Sequence, residues 1–225
     1  MVVAGADGCR TGWVVCRLGK DGTLDIRVVD ALAEACEGTS ILAVDMPIGL
    51  LDVPQRNGRQ CEREAKVHLG KKRSSVFASP CRPALCAETH ADANRISKSL
   101  GPGLSIQAFG LFKKLREVDR LMRERSSLRS VVYEAHPELA FARMNKGNPV
   151  LSKKSKADGI AERLALLAQH DLHPELAKLP GAKTDDILDA VACYRTALLI
   201  SRNEATCLGP ARERDRYGLP MNIWY

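Results

Sequence analysis

Acidic residues recur where short apolar runs end. Val2–Ala6 leads into Asp7, Ile41–Val44 into Asp45, and Val131–Tyr133 into Glu134, while Asp185, Asp186 and Asp189 open an apolar helical stretch. Carboxylates delivered in this way suit a hard cation. Mg²⁺ or Mn²⁺ takes oxygen ligands, usually one or two carboxylates completed by water and substrate phosphate. Two such ions about 3.5–4 Å apart activate water and stabilise the departing oxygen in phosphodiester cleavage. On a helix, Asp186 and Asp189, or Asp185 and Asp189, share one face. Asp7, Asp45, Glu134, Asp186 and Asp189 are therefore the candidate catalytic and metal-binding set. Each has a structural alternative. Asp7 before Gly8 suits a turn, Asp45 before Met46-Pro47 can end its strand, and Glu134 can pair with His136 or Arg143. Asp185 and Asp186 answer the helix dipole. Asp189 lies one turn deeper in an apolar run, where surface charge explains it least well.

The candidate partner is a polyanion. The chain has a net charge of +7, which permits such a partner without requiring one. Residues 54–82 hold eight bases (Arg56, Arg59, Arg63, Lys66, Lys71, Lys72, Arg73, Arg82) against two acids, so the excess is concentrated there. This stretch reads either as a solvated face or as a surface that tracks phosphates and releases their counterions. In the second reading Arg10, Arg59, Arg63, Lys71, Lys72 and Arg73 bind substrate, with Ser74 and Ser75 as further hydrogen-bond donors. The two serines can equally cap a turn.

The elements that would position these groups follow from periodicity. Residues 2–5 and 12–18 read as an antiparallel hairpin, and the alternation of residues 24–29 as a half-exposed third strand. Residues 41–45 form a nearly all-apolar fourth strand, stopped by Met46-Pro47-Ile48-Gly49. Residues 130–134 make the fifth. Helices are expected over 31–36, 61–69, 109–122, 137–141, 156–170 and 184–201, and the tail at 212–225 returns as a short strand or packed end. Residues 52–105 are less regular and read as an insertion with some structure of its own. Three strands on short turns, then strands separated by helices, predict an α/β fold with a mixed sheet covered by helices. Gly5-Ala6-Asp7-Gly8 lacks the spacing of a dinucleotide fingerprint and does not enter a helix.

A length of 225 residues with 45% hydrophobic and 27% charged residues fits one soluble domain, residues 1–225, with the insertion inside it. No run approaches the roughly 18–20 apolar residues of a membrane helix, so no membrane partner is expected. The N-terminus lacks a secretion signal, which makes the cytoplasm the expected location. The eight cysteines are scattered rather than arranged as a disulfide framework. Cys81-x4-Cys86-x3-His90 is the cluster to test as a zinc site, but no second Cys or His pair accompanies it.

Several stretches together resemble one family. They are Gly5–Trp13 (GADGCRTGW), Asp45–Leu50 (DMPIGL), Arg59–Ala65 (RQCEREA), Leu69–Phe77 (LGKKRSSVF), Glu134–Glu138 (EAHPE) and Asp185–Ala190 (DDILDA). In that order they resemble the DUF429 group, described as predicted nucleases of the ribonuclease H-like fold. The resemblance implies a five-stranded mixed sheet with acids on the first and fourth strands and on a late helix. Asp7, Asp45 and Asp186 or Asp189 fall at those places, with Glu134 as an added candidate. The segment from Arg59 to Arg73 lies outside the minimal fold and points to a substrate different from that of known resolvases.

The leading expectation is thus metal-dependent hydrolysis of phosphodiester bonds in DNA or RNA. A phosphotransferase or nucleotide hydrolase on the related actin-like fold would use Asp7–Gly12 as a phosphate cradle, although the chain is short for the paired domains of that class. A small-molecule hydrolase would use His136 and Glu138 as base and partner. A non-catalytic nucleic-acid-binding protein would keep only the fold and the basic surface.

Overall fold

The computed structural model describes residues 1–225. Five strands form one mixed sheet: β1 (Val3–Gly8), β2 (Trp13–Leu18), β3 (Leu24–Val29), β4 (Ile41–Val44) and β5 (Val132–Glu134). Their spatial order is β3-β2-β1-β4-β5. The β1–β2 and β2–β3 pairs are antiparallel, whereas β1–β4 and β4–β5 are parallel. This is the mixed sheet expected from a hairpin followed by helix-separated strands. The parallel pairs need crossovers, and the chain supplies them with helices.

Eight α-helices cover the sheet: α1 (Leu32–Cys36), α2 (Gln60–Leu69), α3 (His90–Leu100), α4 (Ile106–Gly110), α5 (Phe112–Glu124), α6 (Pro137–Met144), α7 (Ala157–Ala168) and α8 (Thr184–Ser201). Strand alternation divides the core in two. Ala4, Ala6, Leu42, Val44 and Val132 face a cluster built with α1 and α5. On the other face, Val14 and Cys16 meet α6, α7 and α8, while Ala43 lies against Cys193 and Ala197 of α8. A small ribbon, β6 (Cys207–Leu208) with β7 (Ile223–Trp224), returns the tail beside β5 through a bridge from Ala135 to Trp224.

Two expectations change in detail. The stripe expected over 109–122 is two helices, because α4 ends at Gly110 and α5 starts at Phe112. Inside the expected insertion lies α3, whose N-cap Thr89 accepts a hydrogen bond from the Asp92 amide. That segment shares the main core: Ala84, Leu85, Ala93 and Leu104 are buried in the same cluster as the sheet.

Gly5 sets how closely α8 approaches the sheet. A Cβ there would lie 2.0 Å from the Tyr194 amide nitrogen and 2.4 Å from the Ala190 carbonyl oxygen. A glycine in a strand interior often marks such an approach. Gly5→Ala is expected to lower stability by about 1–3 kcal/mol or more, as overpacking does. Urea unfolding measures this, and an unchanged midpoint would show that α8 can move away freely.

Candidate functional site

Strand register brings Asp7 and Asp45 together. Ala6 pairs with Val44 in the parallel β1–β4 ladder, and the Asp45 amide donates to the Ala6 carbonyl at 3.0 Å. The two aspartates therefore end adjacent strands at the same level. Asp45 has the parity of Ala43, on the sheet face that α8 covers. From α8, Asp189 joins them. It is 2% exposed, and its Oδ1 is buried without a hydrogen-bond partner. Asp186, at the start of α8, borders the same cavity but also accepts a hydrogen bond from the Lys183 amide at 2.8 Å, the capping role open to an acid in a first turn.

Lys154 supplies the cation among these acids. It reaches in from the loop before α7, pairs with Asp189 and lies 3.9 Å from an Asp185 oxygen. The loop is anchored through the Ser152 carbonyl, which accepts from Lys72 at 3.1 Å. Spacing gave no signal for Lys154, one of three lysines (Lys153, Lys154, Lys156) in a loop without periodic pattern.

The electrostatics follow from burial. Removal from water, then repulsion by Asp45 and Asp189, push the Asp7 carboxyl well above its ordinary range, with Lys154 opposing. Burial likewise raises Asp45, against the pull of His136 and Lys154. It raises Asp189 to about 7 despite its lysine partner. Burial disfavours the charged form of Lys154, but Asp189, Asp45 and Asp7 outweigh it and hold the ammonium firmly protonated.

Glu134 borders the same cavity but is committed to different partners. Its register partner is Val44, which faces the α1/α5 side, so strand parity aims it away from Asp45. Arg59 holds it there, with Nη1 at 2.8 Å and Nη2 at 2.5 Å from its two oxygens, and the Ile48 amide adds a third bond at 2.7 Å. The Arg59 Nε donates to Glu62 at 2.9 Å, and its Nη1 also donates to the Ile48 and Gly49 carbonyls. Burial pushes Glu134 up to about 7, countered by Arg59. Burial opposes the guanidinium too, but Glu134 and Glu62 outweigh it and hold Arg59 well above its ordinary range. Arg59, expected at the substrate, is 1% exposed and fully engaged inside the protein.

The basic run divides in the same way. Arg82 is buried between Asp119 and Asp215. Arg63 donates to Gly58 and Gln55, and Lys66 to the Asn57 carbonyl. Lys71, Arg73 and Ser74 are exposed, on a 3₁₀ turn (Gly70–Ser75) that leads into the cavity wall. Ser75 lines the cavity, whereas Arg10 lies outside it, beside a separate depression formed with residues 178–183. Glu138, considered as a partner for His136, is held by Arg163 at 2.7 and 2.9 Å. Cys86 donates to the Pro83 carbonyl and His90 bonds the Leu104 carbonyl, so the Cys81–His90 stretch is tied into local structure.

The cavity has a volume of about 490 Å³ and is bordered by Asp7, Asp45, Asp186 and Asp189 on one side. No three His, Cys, Asp or Glu side chains are disposed as a ready metal cage. Mg²⁺ seldom uses an all-protein cage, and an all-oxygen donor set with an unpartnered Asp189 oxygen fits it in kind. No helix is long and apolar enough to cross a membrane.

Fold and site together define a mixed-sheet α/β protein with buried aspartates gathered where two parallel strands meet a late helix. The family model described as "Protein of unknown function (DUF429)" matches residues 5–214, and the chain belongs to that family. No curated protein and no solved structure matches it.

Two outcomes test this electrostatic arrangement. Arg59→Ala leaves two carboxylates buried without their partner, and a loss of about 3–5 kcal/mol is expected in denaturant unfolding; a loss below about 1 kcal/mol would show that the network is not stabilising. The second concerns pH. Asp189 keeps its proton in the folded state up to about pH 7, whereas an unfolded aspartate loses it at about pH 4. Between those values the native state binds more protons, so this cluster's contribution to stability falls as pH rises. Asp7, whose carboxyl is likewise held above its ordinary range, contributes in the same sense, so metal-free Asp7→Asn protein should gain thermal stability over wild type progressively as the pH rises above about 4. A difference that stays flat with pH would contradict it.

Proposed function

We propose that the protein is a divalent-metal-dependent nuclease of ribonuclease H-like architecture, hydrolysing phosphodiester bonds in DNA or RNA. The observation that carries this reading is the convergence of Asp7, Asp45 and Asp189 at one cavity with Lys154 among them. Buried carboxylates that repel one another are unfavourable unless a cation compensates them. The β3-β2-β1-β4-β5 order, with β2 antiparallel and α8 laid across β1 and β4, also supports the fold part of the reading.

In this reading Asp7, Asp45 and Asp189 hold Mg²⁺ or Mn²⁺, with Asp186 at the edge. The metal would lower the pKa of a bound water and stabilise charge on the departing oxygen. The chain's own residues do the rest. Lys154 balances the carboxylates and presents an ammonium to a phosphate entering the cavity. Lys114, whose side chain passes 3.5 Å from a Cβ placed on Gly8, lines the cavity beside the end of β1. Lys71 and Arg73 offer exposed charge for flanking phosphates. Glu134 and Arg59 act by fixing the cavity wall.

The test is cleavage of single-stranded, duplex and branched DNA, RNA and hybrid substrates with Mg²⁺ or Mn²⁺ against EDTA. Cutting that requires metal is expected, with Asp7→Asn and Asp189→Asn reducing it by about 100-fold or more. If folded, metal-loaded protein cuts none of these substrates, the nuclease reading falls and nucleotide-acting chemistry on the same site takes its place.

A further inference from the structure

Beyond its carboxylates, the cavity has a second half that the acid chemistry leaves unused. Val76, Phe77, Pro80, Leu111 and Leu115 give it apolar walls. Phe77 lines the cavity and is 43% exposed. Two polar atoms of lining residues, Ser75 Oγ and His136 Nδ1, are buried without partners, and His136 Nε2 lies 3.4 Å from the Ser75 carbonyl oxygen. Buried polar atoms are normally satisfied, so such exceptions at one cavity point to a ligand. Its volume of about 490 Å³ lies in the range of small-molecule sites, about 300–1,000 Å³.

These features describe a site for a base as well as for a phosphate. Bases stack on accessible aromatic rings irrespective of sequence and use edge donors and acceptors for polar contacts. A duplex followed along its backbone would need an open cationic groove instead. Here Arg59 is buried in its ion pairs, while the exposed Lys71 and Arg73 stand outside, on the turn immediately before Ser75.

Building on the nuclease reading, we propose that the cavity accepts one nucleotide unit at a time. Its base lies on the apolar wall beside Phe77, where a turn of the Ser75 and His136 side chains would bring their unpartnered atoms to its edge, and its phosphate turns toward the carboxylates. A strand end and a free nucleotide share this chemistry. For a strand, the backbone leaving the cavity would meet Lys71 and Arg73.

Calorimetry of the full chain with Mg²⁺ would compare nucleoside 5′-monophosphates with ribose 5-phosphate and inorganic phosphate. Saturable nucleotide binding is expected, with ribose 5-phosphate weaker by about fivefold or more and Phe77→Ala costing the nucleotide a similar factor. Phe77→Trp should retain binding, and thermal melts check that both variants fold. Equal binding of ribose 5-phosphate and nucleotide, or no effect of Phe77→Ala, would overturn the proposal. Linear and covalently closed circular single strands separate the two sources and the two readings. Release of mononucleotides from linear strands alone supports a strand end as the occupant. Nucleotide binding with no polymer cleavage supports the site, identifies a free nucleotide as its occupant and sinks the nuclease reading. Cleavage of circles without nucleotide binding keeps the nuclease reading and sinks the single-nucleotide site.

Discussion

One buried guanidinium holds together the parts on which the cavity depends. Arg59 sits at the N-cap of α2, yet its donors reach Glu134 at the end of β5, Glu62 in α2 and the Ile48 and Gly49 carbonyls after β4. Glu62 in turn receives the Ser79 amide at 3.2 Å and the Ser79 hydroxyl, fixing the chain where it forms the cavity wall. The requirement is mutual. A lone buried charge would be strongly unfavourable, and the bidentate geometry with backbone partners makes the assembly tolerable. Gly58 permits it: its φ is +88°, and a Cβ there would fall 1.9 Å from a Glu62 oxygen. The wall of the cavity is therefore set by charge pairing rather than by apolar packing alone.

The opposite wall is built on another principle. Asp7, Asp45 and Asp189 are carried by β1, β4 and α8, whose mutual positions are fixed by strand register and by the contact at Gly5. Rigid elements hold the carboxylates near one another although they repel. Lys154 relieves part of this repulsion, and its side chain is still 42% exposed. The fold thus tolerates a local electrostatic deficit where a substrate or ion would enter, the usual compromise between stability and a functional site.

Much of this was legible in the sequence, and the omissions have physical causes. The strands and α8 could be read because each is apolar with a clear stop, Asp7 and Asp45 because acids at such stops are conspicuous, and Asp189 because a charge one turn into an apolar helix is. The place of Glu134 depended on the register between β4 and β5. One residue of slip exchanges the two sheet faces, and no local pattern fixes it. The basic run misled about Arg59 and Arg82. Their partners, Glu134 and Asp215, lie 75 and 133 residues away, so burial could not be inferred from the run itself. The α3 helix was hidden by the prolines around it, although Thr89 and Asp92 carry a helix-start signal at the right spacing.

The contrast between the two walls bears on what the cavity can accommodate. On the Arg59 side the ionic groups are already engaged with one another, so a ligand gains little there from ionic contacts and must rely on shape, stacking and neighbouring polar groups. On the aspartate side the crowded carboxyls hold protons in the absence of a compensating cation, so their ionised form favours a phosphate only when a divalent ion comes with it. An apolar small molecule would fit the first wall without compensating the second, and a bare cation would do the reverse. A ligand with a flat, polar-edged ring and a phosphate accompanied by a divalent ion satisfies both. The pairing of these walls, more than either acid cluster or apolar surface alone, is what supports the proposed nucleotide site.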